Sequence, residues 1–180
     1  MREKVGKGIV LLPGNGESPS NYPNNTFHFR QDSTFLYFFG QNLPDLAGVI
    51  DCESGEEILF GNDLTVDDII WTGPQPTIAD LASQVGVGAT KPMAALADYL
   101  SAAQAKGRTI HYLPPYRGET KIQLSELLGM PLKALHDGKS VDLMFAVAEM
   151  REVKGAEEIE ALERAFQIGY IMHVTAMKMC

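Results

Sequence analysis

Short apolar runs, separated by glycine, proline and asparagine, dominate the first part of the chain. Runs of this kind between turn residues predict buried strands. The segments with this pattern are residues 8–12, 35–39, 47–52, 57–60, 85–87 and 109–113. The Ser-Gly pair at 54–55 lies between the third and fourth segments, so it predicts a hairpin there.

The second of these segments, FLYFF, consists almost entirely of aromatic residues. Aromatic side chains suit the pleated, half-buried surface of a sheet. Alternation along a strand would direct Phe35, Tyr37 and Phe39 to one face and Leu36 and Phe38 to the other. We therefore expect a core strand that is covered on both faces.

Helical patterns lie between the predicted strands. They cover residues 65–71, 77–83, 91–106 and 118–128, and Thr77 is a typical capping residue at the start of the second. Residues 143–150 fit either a helix or a strand. Alternating strands and helices with short loops indicate an α/β fold, and the hairpin makes its sheet mixed.

From Arg151 onward the pattern changes to one long amphipathic helix. Its apolar positions recur with a period near 3.6, and they are Ile159, Leu162, Phe166, Met172, Ala176 and Met179. A wide apolar stripe that no later residue of the chain covers predicts self-association. The chain stops where a second domain is expected to begin.

Composition narrows the classes of partner. The 180 residues carry a formal net charge of -8 and no basic run, which argues against a nucleic acid partner. The apolar run near the N-terminus is too short for a signal peptide or a membrane span. We therefore expect a cytoplasmic protein without a membrane partner, with Cys52 and Cys180 as reduced thiols.

A search for catalytic or metal-binding motifs finds none. The histidines are far apart and lack metal-ligand spacing, and neither cysteine has a neighbour that would activate it. Gly86, Gly88 and Lys91 lack the remaining residues of a phosphate-binding loop. The residues alone thus predict no catalytic residue and no metal ligand in this chain.

Three stretches together resemble a known family. NNTFHFRQDSTFLYFFG, followed by a hairpin and DLTVDDIIWTGPQP, is similar to the N-terminal domain of Xaa-Pro aminopeptidases (aminopeptidase P) and prolidases, in the creatinase superfamily. MREVKGAEEIEALERAFQIGYIMHVTAM resembles the linker and first helix of their catalytic domain. Gly155 stands where the family usually has serine or threonine, and this departure affects only a helix cap.

The resemblance implies a two-domain subunit. Residues 1–150 would form the N-terminal domain, with a mixed sheet of about six strands flanked by helices, and residues 151–180 would begin the pita-bread catalytic domain. That domain binds a pair of divalent metals, commonly manganese, through residues beyond the position of Cys180. The chain alone should therefore be inactive and hold no cofactor.

The resemblance also implies the partners of the chain. They are its own catalytic domain, neighbouring subunits of a homo-oligomer and, in the full-length protein, short Xaa-Pro peptides. The N-terminal domain would serve subunit association and limit access to the active site.

Two residues are candidates for the substrate pocket. A tryptophan in the position of Trp71 helps to line the pocket in this family, although a single tryptophan can equally be a core residue. Arg30 either faces substrate or helps Asp32 to hold the loop through a salt bridge or backbone hydrogen bonds. Gln31, Asp32, Ser33 and Tyr37 are expected to be structural.

Two alternatives stay open. The chain could be a stand-alone peptidase-like module that acts in protein–protein interaction, as related domains do in a large histone-chaperone subunit. It could also belong to a creatinase-like enzyme that acts on a small amidine, although the FRQDS segment favours the aminopeptidase branch.

Overall fold

The computed structural model describes residues 1–179 and divides into two compact units, Met1–Ala146 and a second unit that begins at Val147. The domain boundary that the sequence suggests after residue 150 stays a prediction. No helix among residues 1–179 is long and apolar enough to cross a membrane.

The first unit is built on a mixed sheet of five strands in the order β6-β5-β4-β1-β7. The strands are β1 (Ile9–Pro13), β4 (Ala47–Asp51), β5 (Glu57–Phe60), β6 (Ala89–Lys91) and β7 (Ile110–His111). β4 is antiparallel to β1 and β5, whereas β7 runs parallel to β1 and β6 parallel to β5. A separate ribbon pairs β2 (Pro19–Tyr22) with β3 (Asn25–Thr26). The α/β class, the mixed sheet and the hairpin are confirmed, with five strands in the main sheet.

Seven helices accompany the sheet. They are α1 (Arg2–Val5), α2 (Ser33–Phe39), α3 (Val66–Thr72), α4 (Ile78–Gln84), α5 (Leu96–Ala105), α6 (Gly118–Leu128) and α7 (Val141–Glu152), the last of which extends across the boundary between the units. A 3-10 turn, Met93–Ala95, precedes α5. The ambiguous segment 143–150 is thus helical.

The core lies between the sheet and the helices. β1 and β4 have nearly every residue buried, because both faces of the sheet are covered. One connected apolar cluster joins strand and helix residues, including Leu11, Val49, Ile58, Phe60, Leu96, Leu100, Tyr112, Leu124 and Leu135.

The prediction of a strand at residues 35–39 is wrong, because these residues form α2. The carboxylate of Asp32 accepts hydrogen bonds from the backbone N–H groups of Thr34 and Phe35, which begins the helix, and Gly40 ends it with a φ of 63°. Phe35 and Phe39, four residues apart, are buried with their rings stacked at 5.4 Å between centroids. Leu36 and Tyr37 are partly exposed, so the predicted alternation of faces is also wrong.

The structure differs from the predicted elements at three other places. Residues 85–87 are not a strand but the turn after α4, where the N–H of Val87 donates to the carbonyl of Ala82, and the strand begins at Ala89. The helix predicted from residue 91 begins only after this strand and a 3-10 turn. The strand predicted at 109–113 is reduced to Ile110–His111 by the prolines that follow.

The second unit contains α8, Ala156–Met179, which confirms the predicted terminal helix. Gly155 precedes it, and its N–H donates to the carboxylate of Glu158 at 2.9 Å. α8 has no buried residue, so its apolar stripe is open along the whole helix.

Candidate functional site

Several loops next to the predicted site residues meet at one edge of the sheet. The strand register places Pro13 opposite Ala47, Ala47 opposite Phe60, and Phe60 opposite Lys91. The chain segments that leave or enter these strands therefore lie side by side. We call this the loop edge, and it includes the segments 14–18, 41–46, 61–65 and 112–117.

Gln31 connects two of these segments to its own loop. Its Oε1 accepts hydrogen bonds from the N–H of Asn15 at 2.7 Å and of Asp32 at 2.8 Å, while its Nε2 donates to the carbonyl of Leu43 at 2.7 Å. The backbone passes so closely at Gly14 that a Cβ there would lie 2.7 Å from the carbonyl oxygen of Leu46. Only glycine fits this position without a shift of the backbone.

Asp32, Asn15 and Tyr116 form the second part of this network. Asp32 caps α2 through Oδ1, and its Oδ2 accepts a hydrogen bond from the hydroxyl of Tyr116 at 3.1 Å. The Nδ2 of buried Asn15 donates to the carbonyl of Arg30 at 2.9 Å and to the Tyr116 oxygen at 3.4 Å. Burial raises the pKa of Tyr116, so its hydroxyl stays protonated and able to donate at neutral pH.

The remaining residues of the FRQDS stretch lie at the surface. The side chain of Arg30 is exposed, and its backbone carbonyl is the part that enters the network. Ser33 is exposed at the start of α2, and the ring of Tyr37 packs edge-to-face on Phe38 at 5.0 Å. This stretch thus links the loops to one another through the backbone carbonyl of Arg30 and the side chains of Gln31 and Asp32. The polar atoms of these two side chains are engaged in hydrogen bonds. A substrate contact of Arg30 stays a prediction.

Sequence reasoning missed Asn15 and Tyr116. Both lie in stretches rich in proline and glycine, which indicate only turns. Because 101 residues separate them, no local pattern could have paired them.

Trp71 lies on α3, at the same edge. Thr65 and Asp68 form a reciprocal cap: the N–H of Asp68 donates to the Thr65 hydroxyl oxygen at 3.2 Å, and the N–H of Thr65 donates to the Asp68 carboxylate at 2.9 Å. The side-chain and backbone hydrogen bonds from Thr65 lower the pKa of the Asp68 carboxyl. Local hydrogen bonds therefore define this helix.

No residue of α3 is buried. Trp71 is 88% exposed, Val66 74% and Ile70 73%, and we call these three residues the α3 surface. The alternative that Trp71 is a core residue is therefore wrong. Its contact with substrate stays a prediction.

The opposite edge of the sheet carries an ion-paired cluster. Arg108 contacts both carboxylate oxygens of Asp51, at 2.8 Å and 2.7 Å, and also pairs with Glu53. Arg108 holds the pKa of the Asp51 carboxyl below its ordinary value. Next to it, burial raises the pKa of the Cys52 thiol, which disfavours the thiolate. This cluster links β4 to the segment before β7 and offers no reactive group.

The metal pair that the resemblance implies is expected to bind residues beyond Cys180, not the donor side chains of this chain. Among residues 1–179, no three histidine, cysteine, aspartate or glutamate side chains converge on a point where an ion could bind. Cys180 lies outside the described residues.

Comparison with known proteins finds similar sequences and structures. Residues 1–111 match the family described as "Aminopeptidase P, N-terminal domain". A probable Xaa-Pro aminopeptidase of Paracoccidioides brasiliensis is 25% identical over 174 residues, which are 95% of this chain and 35% of that protein. A probable Xaa-Pro aminopeptidase of Metarhizium robertsii is 32% identical over 84 residues, 47% of this chain and 18% of the relative.

Solved structures show the same fold. Escherichia coli aminopeptidase P in complex with substrate aligns with a TM-score of 0.76 and 22% identity, covering 99% of this chain and 42% of that one. Its low-pH form aligns with a TM-score of 0.73. The chain thus spans well under half the length of these proteins. Because the family match covers 111 of its 180 residues, the chain belongs to the family of aminopeptidase P N-terminal domains.

Proposed function

We propose that the chain is the non-catalytic N-terminal domain of a proline-specific metalloaminopeptidase, which releases the first residue from Xaa-Pro peptides. In this role it contributes to subunit association and limits access to the active site. The α3 surface is the observation that carries the proposal. This capped helix exposes Trp71, Ile70 and Val66, and the fold buries none of its residues. Exposed aromatic and branched side chains suit a proline ring or an apolar first residue.

The chemistry is expected to lie outside this chain. The polar atoms of Gln31 and Asp32 already bind backbone and side-chain groups, and the ion-paired carboxylates are at the other edge of the sheet. We therefore expect the purified 180-residue chain not to hydrolyse an Xaa-Pro tripeptide, with or without manganese chloride. Metal-dependent release of the first residue by the pure chain would contradict the proposal.

The role of Trp71 is tested in the longer enzyme that the proposal implies. Trp71→Ala should raise KM for Xaa-Pro peptides by roughly tenfold, the equivalent of about 1.4 kcal/mol of lost apolar contact, with a smaller change in kcat. Ile122→Ala, a truncation of an exposed residue on α6, is the matched control and should leave KM unchanged. Equal KM values for the wild type and Trp71→Ala would exclude a pocket role.

Self-association is the second part of the proposal. The stripe of α8 exposes Phe166 by 71%, Met172 by 60% and Met179 by 82%, and open apolar stripes of this kind favour association. Light scattering at rising concentration should report a mass above that of the monomer, and Phe166→Asp should lower it. A strict monomer at high concentration would contradict this part.

A stand-alone binding module is the second candidate, because the α3 surface and the α8 stripe could equally bind another protein. The two candidate functions predict different coding sequences after the codon for Cys180. An open frame encoding an Asp, Asp, His, Glu, Glu metal-ligand set would favour the peptidase, and a natural stop would favour the module.

A further inference from the structure

The α3 surface lies on an excursion of the chain that leaves the sheet and returns to it. The chain departs after β5, forms α3, and comes back at the first residue of α4. Where it departs, Asp63 Oδ1 accepts a hydrogen bond from the N–H of Ile78 at 2.7 Å. These residues are 15 positions apart, so one contact joins both ends of the excursion, which we call the α3 arm (residues 63–78).

The arm is stiff between its two ends. The reciprocal cap of Thr65 and Asp68 fixes the start of the helix, and the Thr72 hydroxyl donates to the carbonyl of Asp68 at 2.9 Å. Gly73 turns the chain with a φ of 78°, and Pro74 and Pro76 then restrict the returning segment. Because no residue of α3 is buried, we expect the arm to move as one body about its ends.

The ends are attached to the sheet in different ways. The N–H of Gly61 donates to the carbonyl of Lys91 at 3.1 Å, and Asn62 Oδ1 accepts from the N–H of Met93 at 3.0 Å. The departing end is therefore fastened by two polar contacts to the neighbouring strand and turn. On the returning end, Ile78 is the first residue of α4, which packs on β5 and β6 with Leu81 and Ala82 buried. The side chain of Ile78 also packs against Gly61.

From these contacts we propose that Asp63 is a positioning residue for Trp71. Its carboxylate joins the two attached ends of the arm to each other and so fixes the direction in which the arm presents the α3 surface. It acts through the arm and does not itself touch substrate. The inference rests on the proposed role of Trp71 in the pocket and adds a residue that controls the placement of this wall.

Trp71 is the only tryptophan in the sequence, so its fluorescence reports on the arm without labelling. Time-resolved anisotropy of the 180-residue chain should show a larger amplitude of nanosecond motion in Asp63→Ala than in the wild type. Hydrogen exchange at the Ile78 amide should accelerate by about tenfold, the factor that a hydrogen bond to a charged acceptor provides. Thermal unfolding should change little, because the arm contributes no buried side chain.

Two further variants separate positioning from other roles. Asp63→Asn keeps an oxygen at the accepting position and should restore the wild-type anisotropy, whereas Asp98→Ala removes a similar exposed charge from α5 and should have no effect. Unchanged anisotropy in Asp63→Ala would overturn the inference, as would equal mobility in Asp63→Asn and Asp63→Ala.

The outcome is independent of the test of the proposed function. If Trp71→Ala leaves KM unchanged while Asp63→Ala frees the arm, the pocket role fails and the positioning contact stands. If Trp71→Ala raises KM while Asp63→Ala leaves the arm in place, the pocket role stands and the inference about Asp63 fails. In the longer enzyme, both roles together predict that Asp63→Ala raises KM less than Trp71→Ala.

Discussion

α2 and α3 are helices of seven residues each, and both begin with a side-chain cap. α2 buries Thr34, Phe35 and Phe39 against the sheet, while α3 buries none of its residues. Isolated helices of this length are not stable in water, so α2 depends on core packing and α3 on its cap and on the fastened ends of its arm. The comparison separates residues that stabilise the fold from residues that are free for binding.

The largest expected effect comes from the packed helix. Phe35→Ala removes a fully buried ring that stacks on Phe39, and should lower the free energy of unfolding by about 3–5 kcal/mol. Ile70→Ala truncates a 73% exposed side chain of α3 and should change it by less than about 0.5 kcal/mol. Urea denaturation followed by circular dichroism measures both, and similar losses would remove the contrast between the helices.

Removal of the α2 cap should also destabilise the protein more than removal of the α3 cap. Asp32→Ala removes the α2 cap and the acceptor of the Tyr116 hydroxyl, so the free energy of unfolding should fall by about 2 kcal/mol. Asp68→Ala removes the carboxylate of the α3 cap, and the midpoint of global unfolding should not move. A large shift of the midpoint in Asp68→Ala would mean that α3 stabilises the whole unit.

Acidic pH should weaken the start of α3, because it protonates the capping carboxylate of Asp68. Because hydrogen bonds from Thr65 lower the pKa of Asp68 in the folded chain, the capping contribution is complete above the ordinary pKa of the carboxyl. It is lost as the pH falls through the lowered value, below about pH 4. Trp71 emission should therefore change reversibly in this range, and Asp68→Asn should lack this transition. An identical transition in Asp68→Asn would assign it to another group.

The sequence was sufficient for elements whose signals are local. A few neighbouring residues are enough to predict each of four elements: the buried strand β1, the β4–β5 hairpin, the Thr77 cap and the helix α6. The aromatic residues of α2 predict a strand because they suit a sheet, although Asp32 followed by Ser33 and Thr34 is a helix-start pattern. The capping pattern predicts the observed structure, because the Asp32 side chain accepts hydrogen bonds from the first backbone N–H groups of the helix.

The candidate site was predictable only in part. The resemblance singled out Trp71, but whether this residue was core or surface depended on packing that no local pattern encodes. The contacts of Asn15 with Tyr116 and of Asp63 with Ile78 join residues that are far apart in the chain. Such pairs arise from the way the loops meet at the end of the sheet, and they needed the three-dimensional structure.

We infer that the apolar residues of α3 are available for binding because folding does not use them. Urea denaturation of the combined variant Val66→Ser, Ile70→Ser and Trp71→Ser, followed by circular dichroism, tests this most directly. We expect a free energy of unfolding within about 1 kcal/mol of the wild type, as for exposed positions. A loss of about 3 kcal/mol or more, typical of core truncations, would contradict it.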